Sequence, residues 1–321
     1  MAQSLCLDLK AQHPDSSLYM LAPAWSAAVV DRMPEVDGLI ATQFAHGKLG
    51  LGERWRLGKE LREQNFTHAI VLPNSLKSAL VPAIARIPNR IGFIGEQRWG
   101  LLTEPRKLNK AALPMTVQRF IALGRSADAG TIPKADIPKP KLQSQPEEAK
   151  ATASELELET DKPVLALCPG AEFGPSKQWP LEHFSKLADQ YHAQGRNVWL
   201  LGSGNDVANC QSIAGACSSN PTVVAGRTSL PQVVDLLSLA SLVVSNDSGL
   251  MHIAAGLNRP LVAIYGSTDP GHTPPLSENH RIARLDLDCS PCFKRDCPLK
   301  HHNCMRQLGV DQITNLAQEL S

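Results

Sequence analysis

Residues 241–256 read SLVVSNDSGLMHIAAG, and this segment indicates the fold class. It begins with a short run of branched apolar residues, as expected of a parallel strand that is buried on both faces. Asn246, Asp247 and Ser248 then form a turn, and Gly249 starts a helical pattern that continues to Ala255. A buried strand that passes through a tight turn into a helix predicts one unit of a parallel α/β sheet.

Similar apolar runs lie on both sides of this segment. In the second half of the chain they are VLALC from Val164, NVWLLG from Asn197, TVVAG from Thr222 and PLVAIYG from Pro260. In the first third they are LYMLAP from Leu18, GLIAT from Gly38, HAIVLP from His68 and RIGFIG from Arg90. Residues 180–195 between two of the runs place Leu181, Phe184 and Leu187 on one helical face. Alternating strands and helices predict two α/β domains with parallel sheets.

A proline-rich polar stretch separates the two series. It contains Pro133, Pro138, Pro140 and Pro146 among Lys, Glu, Ser and Ala, without apolar periodicity. Such composition is typical of a linker. We therefore predict an N-terminal domain over residues 1–124, a linker over 125–162 and a C-terminal domain over 163–321.

Composition excludes several classes of protein. The chain of 321 residues has 32 Lys and Arg against 31 Asp and Glu, so no global field draws it to nucleic acid. Its N-terminus lacks the pattern of a secretory signal, and no apolar run is long enough to span a bilayer. Eight cysteines are too few for a disulfide scaffold in a chain of this length. We expect a cytoplasmic protein.

Two loops that follow strands carry candidate binding residues. The turn at Asp247, Ser248 and Gly249 offers free helix N–H groups to an anion, with His252 one turn further on. Lys177 stands just before the helix that starts at Pro180, where its charge suits a diphosphate. Each feature also has a structural explanation: Ser248 as a cap, His252 as a core residue and Lys177 as a solvated side chain. The GSGND pattern at residues 202–206 lacks a third glycine and does not predict a dinucleotide site.

Six segments together resemble glycosyltransferase family 9, the heptosyltransferases. They are residues 74–80, 90–102, 169–180, 246–256, 264–275 and 289–305. The resemblance implies a GT-B fold, in which two Rossmann-like domains face each other across a cleft. It also implies inverting transfer of L-glycero-D-manno-heptose from ADP-heptose to the first heptose of the lipopolysaccharide inner core. No obligatory cofactor is expected, and the acceptor would be met at the cytoplasmic face of the inner membrane, where the protein would be peripheral.

The same resemblance implies roles for individual residues. The C-terminal domain would bind the donor, with Lys177 stabilising the leaving group; the donor residues are Gly170, Ser176, Lys177, Asp247, Ser248, Gly249 and His252. The N-terminal domain would bind the acceptor through Asn74, Lys77, Arg90 and Arg98.

The sequence departs from the family pattern at its N-terminus. The family begins with a strand and a glycine-aspartate turn whose aspartate is the implied general base, and this sequence starts after that turn. We therefore expect a sheet without its central strand, and Asp8 is interpreted as an exposed helix charge. The alternative to an active enzyme is a catalytically impaired remnant that still binds a nucleotide sugar.

Four cysteines lie close together near the C-terminus. Cys289, Cys292, Cys297 and Cys304 have the spacing C-x2-C-x4-C-x6-C, with His301 and His302 among them. Thiolates in such an arrangement are zinc ligands in many proteins. Two interpretations stay open at this point: a structural zinc site and a cluster of cysteines without metal.

Overall fold

The computed structural model describes residues 1–44, 48–128 and 130–320, which form two compact units. Unit 1 comprises Met1–Asp31 and Glu35–Pro138. Unit 2 comprises Arg32–Pro34 and Lys139–Ser321. Each unit is an α/β structure with parallel strands.

Unit 1 contains two small parallel sheets among its described residues. Its strands are β1 (Tyr19–Pro23), β2 (Gly38–Thr42), β3 (His68–Val71), β4 (Asn89–Phe93) and β5 (Glu104–Arg106). Its helices are α1 (Ala2–Gln12), α2 (Ala27–Val30), α3 (Leu51–Glu60), α4 (Leu76–Ile84) and α5 (Thr116–Gly124). Strand β1 pairs with β2, and β4 lies between β3 and β5. In the described part of this unit no ladder joins one sheet to the other.

An ion pair fixes α1 to the end of α5. Asp8 on α1 accepts hydrogen bonds from both Nε and Nη2 of Arg125, with the closest at 2.7 Å. Only 5% of Asp8 is exposed, and α1 packs along α5. The expectation that Asp8 is a solvated helix charge is therefore wrong. The carboxylate has a structural partner 117 positions away, which sequence pattern does not reveal.

Unit 2 is built on one six-stranded parallel sheet. Its strands are β6 (Val164–Cys168), β7 (Asn197–Leu200), β8 (Thr222–Val223), β9 (Ala240–Asn246), β10 (Leu261–Ile264) and β11 (His280–Ala283). Their order is β11-β10-β9-β6-β7-β8. From β6 the strands are added toward one edge of the sheet, as β7 and then β8. The chain then returns to the other side of β6, where β9, β10 and β11 are added toward the opposite edge. The strand order reverses between β6 and β9, which is where doubly wound sheets bind ligands.

Helices cover the sheet of unit 2. They are α6 (Pro146–Glu155), α7 (Leu181–Ala193), α8 (Val207–Ala216), α9 (Leu230–Leu239), α10 (Gly249–Gly256), α11 (Asn303–Arg306) and α12 (Val310–Gln318). All residues of β6, β7 and β10 are buried, as expected for strands covered on both faces. The predicted amphipathic helix is α7, whose Phe184 and Leu187 are completely buried in the main core. This packing anchors the end of the 169–180 loop that precedes α7.

Part of the range expected to be a linker is a helix of unit 2. Helix α6 starts at Pro146, a residue suited to a first helical turn, and it packs on α9. Its buried positions are Ala149, Thr152 and Ala153. These side chains are too small to produce the apolar periodicity by which helices are recognised in a sequence. None of the helices in the described residues is long and apolar enough to span a bilayer.

Candidate active site

The strand order of unit 2 brings the two predicted loops together. Strands β6 and β9 are neighbours, and Cys168 at the end of β6 is paired with Ser245 near the end of β9. The 169–180 loop and the turn at residues 246–249 therefore leave the same edge of the sheet. This edge is the carboxyl end of the parallel strands, beside the point where the strand order reverses.

An ion pair between these two loops forms the centre of the site. The Lys177 ammonium lies 2.6 Å from Oδ2 of Asp247, and the Thr268 hydroxyl donates to the same oxygen at 2.6 Å. Only 5% of the Asp247 side chain and 15% of the Lys177 side chain are exposed. The Lys177 ammonium also lies 5.1 Å from the centre of the Phe173 ring. A buried carboxylate thus orients a cation that remains reachable from one side.

Asn246 fixes both ends of the 169–180 loop. Its side-chain amide donates to the Pro169 carbonyl at 2.7 Å and accepts from the Trp179 N–H at 3.1 Å. Asn246 is completely buried, and so is the Trp179 side chain. This clamp holds the loop that carries Lys177 at a constant distance from β9. The sequence predicts Asn246 only as a turn residue, although Asn246 stands at the end of a buried strand.

The first turn of α10 faces open space. An ideal Cβ built at Gly249 meets no atom within 4 Å, and Gly249 is exposed. Ser248 is the N-cap residue, yet its side chain makes no capping bond and instead lies 3.2 Å from the Ser245 hydroxyl. The first N–H groups of a helix have no acceptor within the helix. The turn therefore presents N–H donors and the positive end of a helix to an anion.

His252 lies one turn into α10. Burial lowers the pKa of its imidazole to about 4. A group with this pKa is uncharged at neutral pH. His252 can therefore donate or accept a hydrogen bond in the site, but the positive charge there comes from Lys177.

Two residues expected to contact a donor have structural partners instead. The Ser176 hydroxyl donates to the Lys294 carbonyl at 2.6 Å and lies 2.9 Å from the Ser267 hydroxyl, with only 2% of Ser176 exposed. It supports the loop and does not face a ligand. Gly170 packs on Asp206, whose Oδ1 would be 2.6 Å from an added Cβ. Any larger residue at this position would have to displace the Asp206 side chain.

Arg98 is a structural residue of unit 1 and does not present its charge to an acceptor. It is 1% exposed, and its guanidinium donates to the carbonyl oxygens of Phe93, Pro73 and Ser75. The bond to Pro73 is 2.5 Å long. These bonds tie the loop after β4 to the loop after β3. The assignment of Arg98 to the acceptor is corrected accordingly.

The Arg90 guanidinium likewise donates its hydrogen bonds to backbone carbonyl oxygens. Its Nε donates to the Leu101 carbonyl at 2.7 Å, and its Nη1 donates to the Ile87 carbonyl. Asn74 is exposed and Lys77 is half-buried, and both lie at the junction between β3 and α4. Of the four predicted acceptor residues, only Asn74 and Lys77 have side chains that are not held by the backbone bonds described for Arg90 and Arg98. Both follow the carboxyl end of β3.

The residues after β10 complete the site. Their segment was noted for its resemblance to the family, but Ser267 and Thr268 were not predicted as site residues. Thr268 bonds to Asp247, and Ser267 lies against Ser176. Strand β10 is adjacent to β9, so polar residues after its end reach the Asp247 turn. The sequence does contain a signal for these residues, because Ser267 and Thr268 directly follow the apolar run PLVAIYG and therefore stand at the end of a buried strand.

Two α/β units with parallel sheets, the second of them doubly wound, are the architecture of a GT-B glycosyltransferase. The comparisons with known proteins agree. A family model described as glycosyltransferase family 9 (heptosyltransferase) matches residues 54–303. The chain therefore belongs to glycosyltransferase family 9, the heptosyltransferases, and is a glycosyltransferase.

Individual relatives match along nearly the whole chain. Lipopolysaccharide heptosyltransferase 2 of Salmonella typhimurium is 43% identical over 322 residues, which cover 98% of this chain and 92% of the relative. Lipooligosaccharide heptosyltransferase 2 of Haemophilus influenzae is 46% identical over 296 residues, 89% of this chain and 84% of the relative. The solved structure of Escherichia coli ADP-heptose LPS heptosyltransferase II has a TM-score of 0.87 and 38% identity, and covers 99% of this chain and 93% of that one. The predicted fold class and family are confirmed.

Proposed function

We propose that this protein transfers L-glycero-D-manno-heptose from ADP-heptose to the first heptose of the lipopolysaccharide inner core, with inversion at the anomeric carbon. The substrates follow from the relatives at 43% and 46% identity, which are heptosyltransferases of type 2. The relative of known structure is named for ADP-heptose. The relatives do not favour the alternative of a binding remnant, which would keep the same Lys177 site in unit 2, so the transfer assay below separates the two.

The ion pair between Lys177 and Asp247 is the observation that carries the donor half of the reaction. When the bond between the anomeric carbon and the diphosphate breaks, negative charge grows on the departing ADP. A cation already oriented by a buried carboxylate stabilises this charge without reorganisation during the step. The N–H groups at the start of α10 add donors for the second phosphate.

Lys177 pairs with Asp247 in the free protein and with the diphosphate when the donor is bound. Thr268 remains hydrogen-bonded to Asp247 when Lys177 turns toward a phosphate, so the buried carboxylate keeps a partner. Asp247 itself is an acceptor and suits the hydroxyl groups of a sugar better than phosphate. We assign Lys177 to the diphosphate and Asp247 to the heptose, with Ser248 and Gly249 at the phosphates and His252 beside them.

Unit 1 would bind the acceptor. Asn74 and Lys77 at the start of α4 offer an amide and an ammonium to a phosphorylated oligosaccharide. Such an acceptor is attached to a lipid, so the protein would work at the cytoplasmic face of the inner membrane as a peripheral enzyme. Lys77→Ala should then raise the KM for the acceptor and leave the Kd for ADP unchanged.

The test is a transfer assay with defined substrates. The purified protein is incubated with ADP-heptose and core acceptors that carry either one heptose or none, and products are identified by mass spectrometry. We expect the addition of one heptose to the one-heptose acceptor only, and no transfer from UDP-glucose or ADP-glucose. Transfer to the heptose-free acceptor would replace the proposed acceptor. Binding of ADP without any transfer would favour the impaired remnant.

A further inference from the structure

The loop from Cys289 to Cys304 encloses a small cavity in unit 2 that the transferase reaction does not use. The cavity has a volume of about 20 Å³, and all four cysteines of the loop line it together with Ser176, Ser267 and His301. The four thiols are free. A space of this size holds one water molecule or one metal ion. Four thiols around one ion-sized cavity are the first indication of a binding site.

Cys297 and Lys300 lie in one backbone turn of the loop. The turn is tight, since the Lys300 N–H donates to the Cys297 carbonyl at 3.0 Å and Lys300 has a φ of 58°.

His301 is not placed to act as a ligand. Its Nδ1 accepts the Asn303 N–H at 3.0 Å, so the neutral ring carries its proton on Nε2. Neither nitrogen then has a lone pair for a metal ion. The cavity is also lined by His302, but the four sulfurs suffice for a tetrahedral site, and sulfur ligands suit soft or borderline ions such as Zn²⁺ better than hard cations.

Among the described residues, no group of three or more Cys, His, Asp or Glu side chains is arranged to hold a metal ion. The sulfurs therefore have to turn inward to bind one. Each cysteine sulfur turns about a single side-chain torsion, and thiolate coordination releases free energy that offsets such rotations. We propose that one Zn²⁺ is bound in this cavity by four thiolates: Cys289, Cys292, Cys297 and Cys304.

The same loop supports the residues around Lys177. The Phe293 N–H donates to the Ser267 carbonyl at 2.7 Å, and the Lys294 carbonyl accepts the Ser176 hydroxyl. Gly174, at φ 144°, approaches Arg295 so closely that an added Cβ would be 2.8 Å from the Arg295 carbonyl oxygen. No helix or strand lies between β11 and α11 in the described residues. The zinc ion takes the place of regular secondary structure in holding this loop against the Lys177 turn.

The first test is the metal content of the full chain. Wild-type protein purified without added metal is analysed by inductively coupled plasma mass spectrometry. The variants Cys292→Ser and Cys297→Ser and the matched control Cys217→Ser are analysed in the same way. Cys217 is a partly buried thiol of unit 2 outside the loop. We expect about one zinc per chain in the wild type and the control, and a loss of zinc in the two loop variants. A wild type without zinc, zinc retained in both loop variants, or stoichiometric iron would each overturn the proposal.

Because the loss of a loop cysteine can also destabilise the protein, a second measurement uses the wild type alone. Zinc is removed with a chelator, thiols that react with a disulfide reagent are counted before and after, and the apoprotein is loaded with Co²⁺. We expect four more reactive thiols after removal and the strong visible bands of tetrahedral cobalt thiolate after loading. The Kd for ADP should rise several-fold in the apoprotein and recover with Zn²⁺. An unchanged thiol count, absent cobalt bands or an unchanged Kd would contradict the proposed site.

Discussion

The Lys177 ammonium lies 2.6 Å from the Asp247 carboxylate, although the two residues are 70 positions apart in the chain. The contact exists because β6 and β9 are neighbours in the sheet and both end at the same edge. Thr268 donates to the same carboxylate oxygen from the next strand. Three strand ends thus contribute a cation, an anion and a hydroxyl to one site, and predictions about donor binding follow from their arrangement.

Lys177→Ala should weaken the binding of ADP by about 10- to 150-fold, because a hydrogen bond to a charged group contributes about 1.5 to 3 kcal/mol. Lys186→Ala is the matched control, since Lys186 is exposed on α7. The measurement is isothermal titration calorimetry of both variants with ADP. Equal affinities of the two variants would remove Lys177 from the donor site.

Thr268→Val should weaken the binding of ADP-heptose by about 5- to 30-fold, which corresponds to about 1 to 2 kcal/mol. The valine keeps the shape of the side chain but leaves Asp247 without a partner when Lys177 turns to the diphosphate. Thr268→Ser keeps the hydroxyl and should restore the affinity. If the serine and valine variants bind the donor equally, the hydroxyl has no part in binding.

Gly249→Ala should reduce ADP affinity at least about tenfold without destabilising the protein, because its methyl group would occupy the space over the first turn of α10. No atom lies within 4 Å of that methyl position, so the free energy of unfolding should stay the same or rise by up to about 1 kcal/mol. Gly215→Ala on α8 meets the same open surroundings and serves as the control. Calorimetry and thermal melting of both variants separate the two effects. Full ADP affinity in Gly249→Ala would place the phosphates elsewhere.

Arg98→Met should lower the free energy of unfolding by about 3 kcal/mol or more, since it removes the donor of the buried Phe93 carbonyl oxygen and of the part-buried Pro73 and Ser75 carbonyl oxygens. Arg56→Ala is the control, because Arg56 is exposed on α3 and its removal should change stability by less than about 0.5 kcal/mol. Both variants are compared by thermal melting. An Arg98→Met protein of normal stability with a raised KM for the acceptor would reinstate Arg98 as a binding residue.

Asp189→Asn should destabilise the protein at pH 7 but much less near pH 3. Burial raises the pKa of Asp189, but hydrogen bonds from Ser219 and Ser218 outweigh this effect and lower the pKa below its usual value. A folded-state pKa below that of the unfolded chain stabilises the fold above about pH 3.9, and this stabilisation is lost as the pH falls through the folded-state value. Melting temperatures of wild type and variant between pH 3 and 7 provide the check. A constant difference across this range would disagree with the proposed cause.

Most elements of unit 2 could be predicted because their signals are local. The apolar runs that became β6, β7, β9 and β10 are buried on both faces, and such runs stand out against their polar flanks. Strand β11 was not predicted, since its four residues begin with His280 and Arg281 and lie at the edge of the sheet. Helix α6 was missed for the different reason that its contacts use Ala and Thr.

The residues of the candidate site could be named from the sequence in part. Lys177, Asp247 and Gly249 were predicted because they follow buried strands and belong to segments that resemble the family, and their binding roles stay predictions. Ser176 and Arg98 were misassigned, since a hydroxyl or a guanidinium has the same chemistry whether its partner is a ligand or a carbonyl oxygen of the protein. Their partners, Lys294 and Phe93, are fixed by how loops pack and have no signature in the sequence.

The sequence by itself determined the class of fold, the family and the loops in which binding residues lie, because apolar period, turn residues and motif spacing are properties of short segments. Only the tertiary structure decided the strand order, and with it the ion pair of Lys177 with Asp247 and the hydrogen bond from Thr268. It also decided which basic side chains remain accessible to a ligand and which donate their hydrogen bonds to backbone carbonyl oxygens. The physical reason is that burial and hydrogen-bond partners depend on residues far apart in the chain, which become neighbours only when the sheet is assembled.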